Sequence, residues 1–268
     1  MLVMKRYRIE PGTKVDLARY DLSETALCPN GKDGTRDDAA RIEARLRDLQ
    51  ELLFAEHRRR ILVVLQGMDT SGKDGTVRHV MSGFNPAGVR VHSFKKPTEE
   101  ELSHDFLWRI HANAPANGEI VVFNRSHYED VVVVRVHDLV PRKVWKRRYE
   151  QINDFEHMLA ENDTLILKFF LHISKDEQLE RLQARIDDKS KRWKFQHGDI
   201  EERKLWNEYQ EAYEDALSKT STKWAPWWVI PANAKWYRNY LVGSIITREL
   251  EKLDMKLPEP DLSAETIE

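Results

Sequence analysis

The chain reads as an α/β protein: a three-layer α/β/α fold around a central parallel five-stranded sheet. Three observations carry this. Short apolar runs alternate with longer stretches of helical periodicity, the order that builds an open sheet covered on both faces. The runs are near-continuous rather than alternating, as strands buried on both faces require. The 268 residues suffice for one large domain with a sizeable core.

The elements follow in order. Residues 1–35 mix charge with Pro11, Gly12, Pro29, Gly31 and Gly34 and read as an N-terminal arm of loops. From Asp37 to Arg58, the apolar residues Leu46, Leu49, Leu52, Leu53 and Ala55 recur at helical spacing behind Asp37 and Asp38, acids that suit a helix N-terminus. Strands are expected at Ile61–Leu65, Val89–Phe94, Ile120–Phe123, Thr164–Ile173 and Trp227–Ile230. Helices are expected at Lys73–Met81, Glu99–His111, His127–Val136, Lys143–Glu161, Asp176–Ile186, Glu201–Leu217 and Lys235–Leu253. The domain runs over 36–257, and 258–268 form a flexible tail.

Composition narrows the function classes. Lys and Arg number 43 against 45 Asp and Glu, a net charge of −2. That balance argues against a body built to grip nucleic acid or an acidic membrane, which calls for basic excess. Cys28 is the only cysteine, so an intramolecular disulfide and a cysteine-based zinc site are excluded. A reducing cytoplasm fits. Apolar stretches such as Val131–Val134 fall far short of the ~20 residues that span a bilayer.

The sharpest signal follows the first strand: Gly67-Met68-Asp69-Thr70-Ser71-Gly72-Lys73, a G-x-x-x-x-G-K phosphate loop leading into a helix. The glycines let consecutive amides converge on phosphate oxygens. The helix N-terminus adds positive potential, and Lys73 supplies a compact cation. Thr70, Ser71, Gly72, Gly75 and Thr76 complete the phosphate-binding set. The usual Mg²⁺-holding Ser or Thr after the lysine is Asp74 here. Asp69 instead puts a carboxylate inside the loop, where a phosphate repels it unless a cation lies between them. It is read as a metal ligand or as the group that positions the attacking phosphate. The third strand ends in Asn124-Arg125-Ser126-His127-Tyr128-Glu129, at the strand end where open α/β sheets place their sites. Arg125 is read as neutralising transferring oxygens.

Further basic residues cluster at Lys95–Lys96, Arg142–Arg148 and Arg185–Lys194. The last holds five basic residues against two acidic ones and reads as a lid closing over phosphates and excluding water. Lys96 is read as a phosphate contact, and Arg142–Arg148 as an exposed helix face. Trp224, Trp227, Trp228, Trp236, Tyr237 and Tyr240 are read as core and subunit contact.

Taken together, Gly67–Thr76, Lys96-Pro97-Thr98, Phe123–Tyr128 and Arg185–Lys194 with its Trp193-Lys194 ending resemble the polyphosphate kinase 2 family over about residues 35–255. The Asn-Arg-Ser-His-Tyr variant is similar to the class III branch, whose members phosphorylate both nucleoside mono- and diphosphates; other branches more often carry Asp at the Asn124 position. The resemblance implies a P-loop kinase-like fold, similar to thymidylate kinase, with a helical lid at about 176–208. It implies transfer of the terminal phosphoryl of inorganic polyphosphate to AMP or ADP with Mg²⁺, for which Mn²⁺ substitutes. The resemblance leaves guanine nucleotides open as a second acceptor class. Asp69 and Lys73 fall in the family's first kinase motif, Arg125 in the second, and Arg185, Lys189, Trp193 and Lys194 in the lid. Asn124, His127 and Glu129 are assigned to the nucleotide. A homodimer or homotetramer is expected, without nucleic-acid or membrane partners. The rival readings are an ATP-dependent nucleoside monophosphate kinase and a non-catalytic phosphate-loop module binding nucleotide or RNA.

Overall fold

The structure is a computed structural model that describes residues 2–195 and 197–259, the side chains of Leu2, Val3, Lys194 and His197 excepted. The tail expected at 258–268 lies almost wholly outside the described residues. The elements that matter run in order: α1 (Arg36–Glu56), β1 (Arg60–Gln66), α2 (Lys73–Val80), β2 (Val89–Ser93), β3 (Ile120–Asn124), α3 (Arg142–Glu161), β4 (Thr164–His172), α4 (Lys175–Asp187), α5 (His197–Lys204), α6 (Trp206–Thr220), β5 (Trp227–Pro231) and α7 (Lys235–Glu251).

All five expected strands form, and they pair in parallel in the order β2-β3-β1-β4-β5. β1 lies at the centre because it is covered on every side: Ile61, Leu62, Val63 and Val64 are fully buried. Burying an apolar side chain of this size contributes roughly 1.5–3 kcal/mol. One helical layer holds α1, α2 and α7; α3 and α6 pack in the other. Asp37 and Asp38 do sit in the first turn of α1, whose buried stripe is Leu46, Leu49, Gln50 and Leu53, and His57 in the left-handed conformation ends it.

Three expected helices are broken, each for a local reason. The stretch from Glu99 stops at Ser103 and resumes at Trp108–His111. Between them the Asp105 carboxylate accepts the Leu107 amide at 2.9 Å, a side-chain bond that competes with helix continuation. The stretch from His127 is a 3-10 turn to Asp130 followed by a short helix at Val133–Val136, because the Ser126 hydroxyl accepts the Tyr128 amide and tightens the chain. The stretch expected from Glu201 starts earlier and breaks at Leu205, which separates α5 from the core helix α6.

The N-terminal arm is docked rather than extended. The Ile9 amide donates to Trp227 O at 2.9 Å and the Val229 amide to Tyr7 O at 2.8 Å, an antiparallel bridge beside β5. Tyr7, Ile9, Val15 and Leu17 are buried with the core. Trp227, Trp228 and Tyr237 are core residues too, and Trp236 and Tyr240 are partly buried against them. Trp224 is the partly exposed member of that aromatic group.

Candidate active site

The site lies at the C-terminal ends of β1 and β3, where the strand order reverses and an open sheet leaves a crevice. The register puts Leu65 opposite Asn124, so the loop after β1 and the turn after β3 face each other. Both are built on unusual backbone. Gly67 (φ 146°) and Gly72 (φ 102°) adopt conformations that favour glycine, while Thr70 (φ 65°) and Arg125 (φ 63°) are left-handed despite carrying side chains. Such strain of roughly 1–3 kcal/mol per residue persists where surrounding structure holds it.

Lys73 lies within the loop, its ammonium donating to Gly67 O (2.7 Å) and Met68 O (3.1 Å). Burial, aided by the Arg125 charge, pushes it down to about 8 against the pull of Asp69, Glu129 and Asp74. Arg125 spans the crevice. It bonds the Asp69 carboxylate with one nitrogen and donates to Glu129 Oε2 at 3.0 Å with another. Those two carboxylates, Glu129 foremost, drive the guanidinium above its ordinary value. For Asp69, burial opposes ionisation, but the charges of Arg125 and Lys73, helped by Arg185, hold the carboxyl below its usual range. Asn124 donates to Asp74 Oδ1 at 2.8 Å. The arrangement is a pocket of fixed charges: an amide cradle, a buried ammonium, a bridging guanidinium and an ionised carboxylate at the rim.

The structure therefore brings together Asp69, Lys73, Arg125, Glu129 and Asn124 with the loop residues Gly67, Thr70, Ser71, Gly72 and Gly75. It corrects two assignments. His127 is fully buried, pointing away from the crevice to Glu156 Oε1 at 3.1 Å, so it belongs to the core and not to the nucleotide-binding set. Thr76 is buried and spends its hydroxyl on Gly72 O at 3.2 Å, one turn back in its own helix, so it offers phosphate no free donor. Lys96 is exposed just beyond the end of the edge strand β2.

The stretch expected to form the lid holds α4, a 3-10 turn at Arg192–Lys194, and α5. Arg185 pairs with Asp199 at 3.7 Å while acting on Asp69 through its charge. Lys189 is exposed, and Trp193 is 77 % exposed. The side chain of Lys194 lies outside the described residues. In Arg142–Arg148, Arg142, Lys143, Lys146 and Arg147 are exposed, as expected; Trp145 is buried, and Arg148 holds Asp130 at 3.0 Å.

Sequence reasoning missed Gln178, Arg181 and Arg238, all buried against the phosphate loop. Gln178 donates to Asp69 O at 3.2 Å, and both arginines donate to Ser71 O. No sequence signal pointed to them, because α4 inverts the usual pattern: Gln178 and Arg181 are buried while Leu179 is 52 % exposed.

Among the described residues no group of three or more His, Cys, Asp or Glu forms a metal cage. Mg²⁺, however, commonly uses one or two carboxylates and takes its remaining ligands from phosphates and water. The site fits that pattern: Asp69 is ionised at the loop, and Glu129 Oε1 is buried without a hydrogen-bond partner.

The fold and this site define a P-loop kinase-like phosphotransferase scaffold. Within that class the chain belongs to the polyphosphate kinase 2 family, described as Polyphosphate kinase 2 (PPK2), which it matches over residues 30–258. It is 56% identical over 264 residues to an AMP/ADP-polyphosphate phosphotransferase of Meiothermus ruber, covering 98% of this chain and 99% of that protein. An ADP-polyphosphate phosphotransferase of Rhodopseudomonas palustris is 43% identical, with 95% and 92% covered. Among solved structures, Polyphosphate Kinase 2 from Arthrobacter aurescens TC1 superposes with a TM-score of 0.93 at 46% identity, covering 96% of this chain and 92% of that one.

Proposed function

We propose that the chain is a polyphosphate:nucleotide phosphotransferase that moves the terminal phosphoryl of inorganic polyphosphate to AMP and ADP, reversibly and by direct in-line transfer. The observation that carries this reading is Arg125, held between Asp69 and Glu129 over the phosphate loop. A cation there meets charge on a transferring phosphoryl, and phosphoryl transfer is mostly positioning and electrostatics. The relatives' names supply the donor and acceptors. A groove of about 850 Å³ beside Asp74 and Gly75 is lined by Lys32, Arg36, Arg78, Lys191, Lys235 and Arg238 against the acids Asp33 and Glu43, with apolar residues such as Ile42 and Trp236 between them, and its excess of cations suits the rest of a polyanion.

In this reading the loop amides and Lys73 hold the donor phosphates, Asp69 orients the acceptor oxygen, and Arg125 with the lid cations takes up charge. The acceptor phosphate is already ionised at neutral pH, so no strong general base is needed. Asp69, with Glu129 beside it, would hold Mg²⁺, which supplies charge neutralisation between donor and acceptor phosphates. No helix of the described residues is long and apolar enough to cross a membrane. We place the enzyme in the cytoplasm as a homodimer or homotetramer, in keeping with its single buried cysteine.

The test is a mixture of protein, Mg²⁺ and polyphosphate with either AMP or ADP, followed for ATP. Formation of ATP from both acceptors is expected. ATP from ADP alone restricts the reading to diphosphates. Inactivity with polyphosphate, together with ADP formation from ATP and AMP, overturns it in favour of an ATP-dependent kinase.

A further inference from the structure

A phosphate loop presents its amides to a ligand only while its carbonyls are held elsewhere. Here two arginines outside the loop hold them. Arg181 of α4 donates from NH1 to Thr70 O (2.9 Å) and Ser71 O (3.1 Å), and from NH2 to Ala232 O (2.6 Å) and Asn233 O (3.0 Å). Its Nε donates to Glu177 at 2.6 Å. One planar group thus ties the first lid helix to the phosphate loop and to the connection between β5 and α7. Arg238 of α7 approaches the same carbonyl from another side, NH1 to Ser71 O at 3.2 Å, with Nε and NH2 resting on Asn239 Oδ1.

The electrostatics are unusual for buried groups. Arg181 and Arg238 are 7 % and 3 % exposed and share an acceptor, so their charges repel. Burial, and then Arg181, lowers Arg238 to about 10. Beyond burial, the charge that acts on Arg238 is the like charge of Arg181 rather than a carboxylate. A buried cation without a counter-charge is costly, and an anion on the far side of the loop would supply one. Space points the same way: a Cβ on Gly72 would meet Arg238 NH1 at 1.8 Å and one on Gly75 would meet NH2 at 3.1 Å, so the guanidinium fills the hollow behind the loop.

We infer that Arg181 and Arg238 are positioning residues for donor binding, gripping the phosphate-loop carbonyls from behind so that the loop amides and a surplus positive field face the phosphates. The inference rests on the loop holding the donor, as proposed above. Its division of labour is specific. Arg181 acts through its fork, which a lysine cannot reproduce because one nitrogen cannot span two pairs of carbonyls. Arg238 acts mainly through charge, which a lysine retains.

The experiment measures tripolyphosphate affinity by calorimetry with Mg²⁺, and the separate KM values for polyphosphate and AMP, in Arg181→Met, Arg181→Lys, Arg238→Met and Arg238→Lys. Both methionine variants and Arg181→Lys are expected to bind tripolyphosphate at least about tenfold more weakly, as for loss of a charge-assisted bond, with the KM for AMP within about twofold of the parent. Arg238→Lys is expected to recover most of the affinity. Parent-like tripolyphosphate binding in folded Arg181→Lys or Arg238→Met overturns the inference, and so does an equal rise in both KM values. If the methionine variants do not fold, the two lysine variants decide, because equal affinity in both contradicts the division of labour. A parent enzyme that binds tripolyphosphate but never transfers from it sinks the proposed function and leaves the clamp standing.

Discussion

Lys73 shows how much chemistry one side chain gathers from its surroundings. Its ammonium lies buried on loop carbonyls and loses its proton near pH 8. An unfolded lysine keeps its proton to about 10.4. Between those values the unfolded chain binds more protons, so this residue's contribution makes stability rise with pH there. Phosphate binding runs the opposite way, since it needs the ammonium. Donor affinity of the free enzyme is expected to fall as pH rises through about 8, and binding above that pH to take up a proton. Calorimetry in buffers of different ionisation enthalpy reads that uptake, and a pH-independent affinity between 7 and about 9.5 contradicts it. Asp69→Asn and Lys73→Ala are each expected to cut turnover at least about a hundredfold, the scale set by removing one preorganised charge stabiliser, with circular dichroism unchanged. Near-normal turnover in either would remove them from the machinery. These two residues were legible in the sequence because glycine spacing and a terminal lysine impose one backbone path. His127 was not, because adjacency to Arg125 in sequence does not say which way a side chain turns. Arg125 in the left-handed conformation faces the crevice, and His127 faces Glu156.

At the scale of elements, the core of the sheet contains an ion pair that periodicity conceals. Lys168 interrupts an apolar strand, and it is fully buried. Its ammonium donates to Glu156 Oε2 of α3 (2.6 Å), Tyr128 OH (2.8 Å) and Thr220 O of α6 (2.7 Å). Burial lowers Lys168 while Glu156 draws it back; Glu156, opposed by burial, is held below its usual range by Lys168 and His127. Removing one partner strands the other in the core. Lys168→Met is expected to lose about 3–5 kcal/mol in urea denaturation, and adding Glu156→Leu to restore much of it. A single variant as stable as the parent contradicts the pair's role. The strands themselves were readable from local sequence because both faces of the sheet demand apolar residues. The helix breaks at 104–107 and Leu205 were not, since they depend on side-chain bonds such as Asp105 to the Leu107 amide and on which half-helix belongs to the lid.

At the scale of the molecule, the strand order β2-β3-β1-β4-β5 sets two loops side by side that lie over fifty residues apart in the chain. No local pattern encodes that order; it follows from how each crossover helix packs on the sheet. The same assembly resolves the charge balance. A net charge of −2 coexists with a local excess of cations in the groove, where Lys32, Arg36, Arg78, Lys191 and Lys235 outnumber Asp33, Glu43 and Asp74. The KM for polyphosphate is therefore expected to rise steeply between about 50 and 200 mM salt, while the KM for AMP rises far less. Equal salt responses would show that the groove does not follow the donor chain.

The docked arm has a consequence for the birth of the protein. Residues 7–17 leave the ribosome early, yet their partners come late: Ser218 for the Val15 amide, Glu214 for Leu17, Trp227 for Ile9 and Tyr237 for Tyr7. Domains assembled in this way cannot finish folding vector-wise from the first residue. The arm must wait for some two hundred residues of synthesis before it closes the sheet edge beside β5, and a nascent chain halted before α6 lacks every one of these partners.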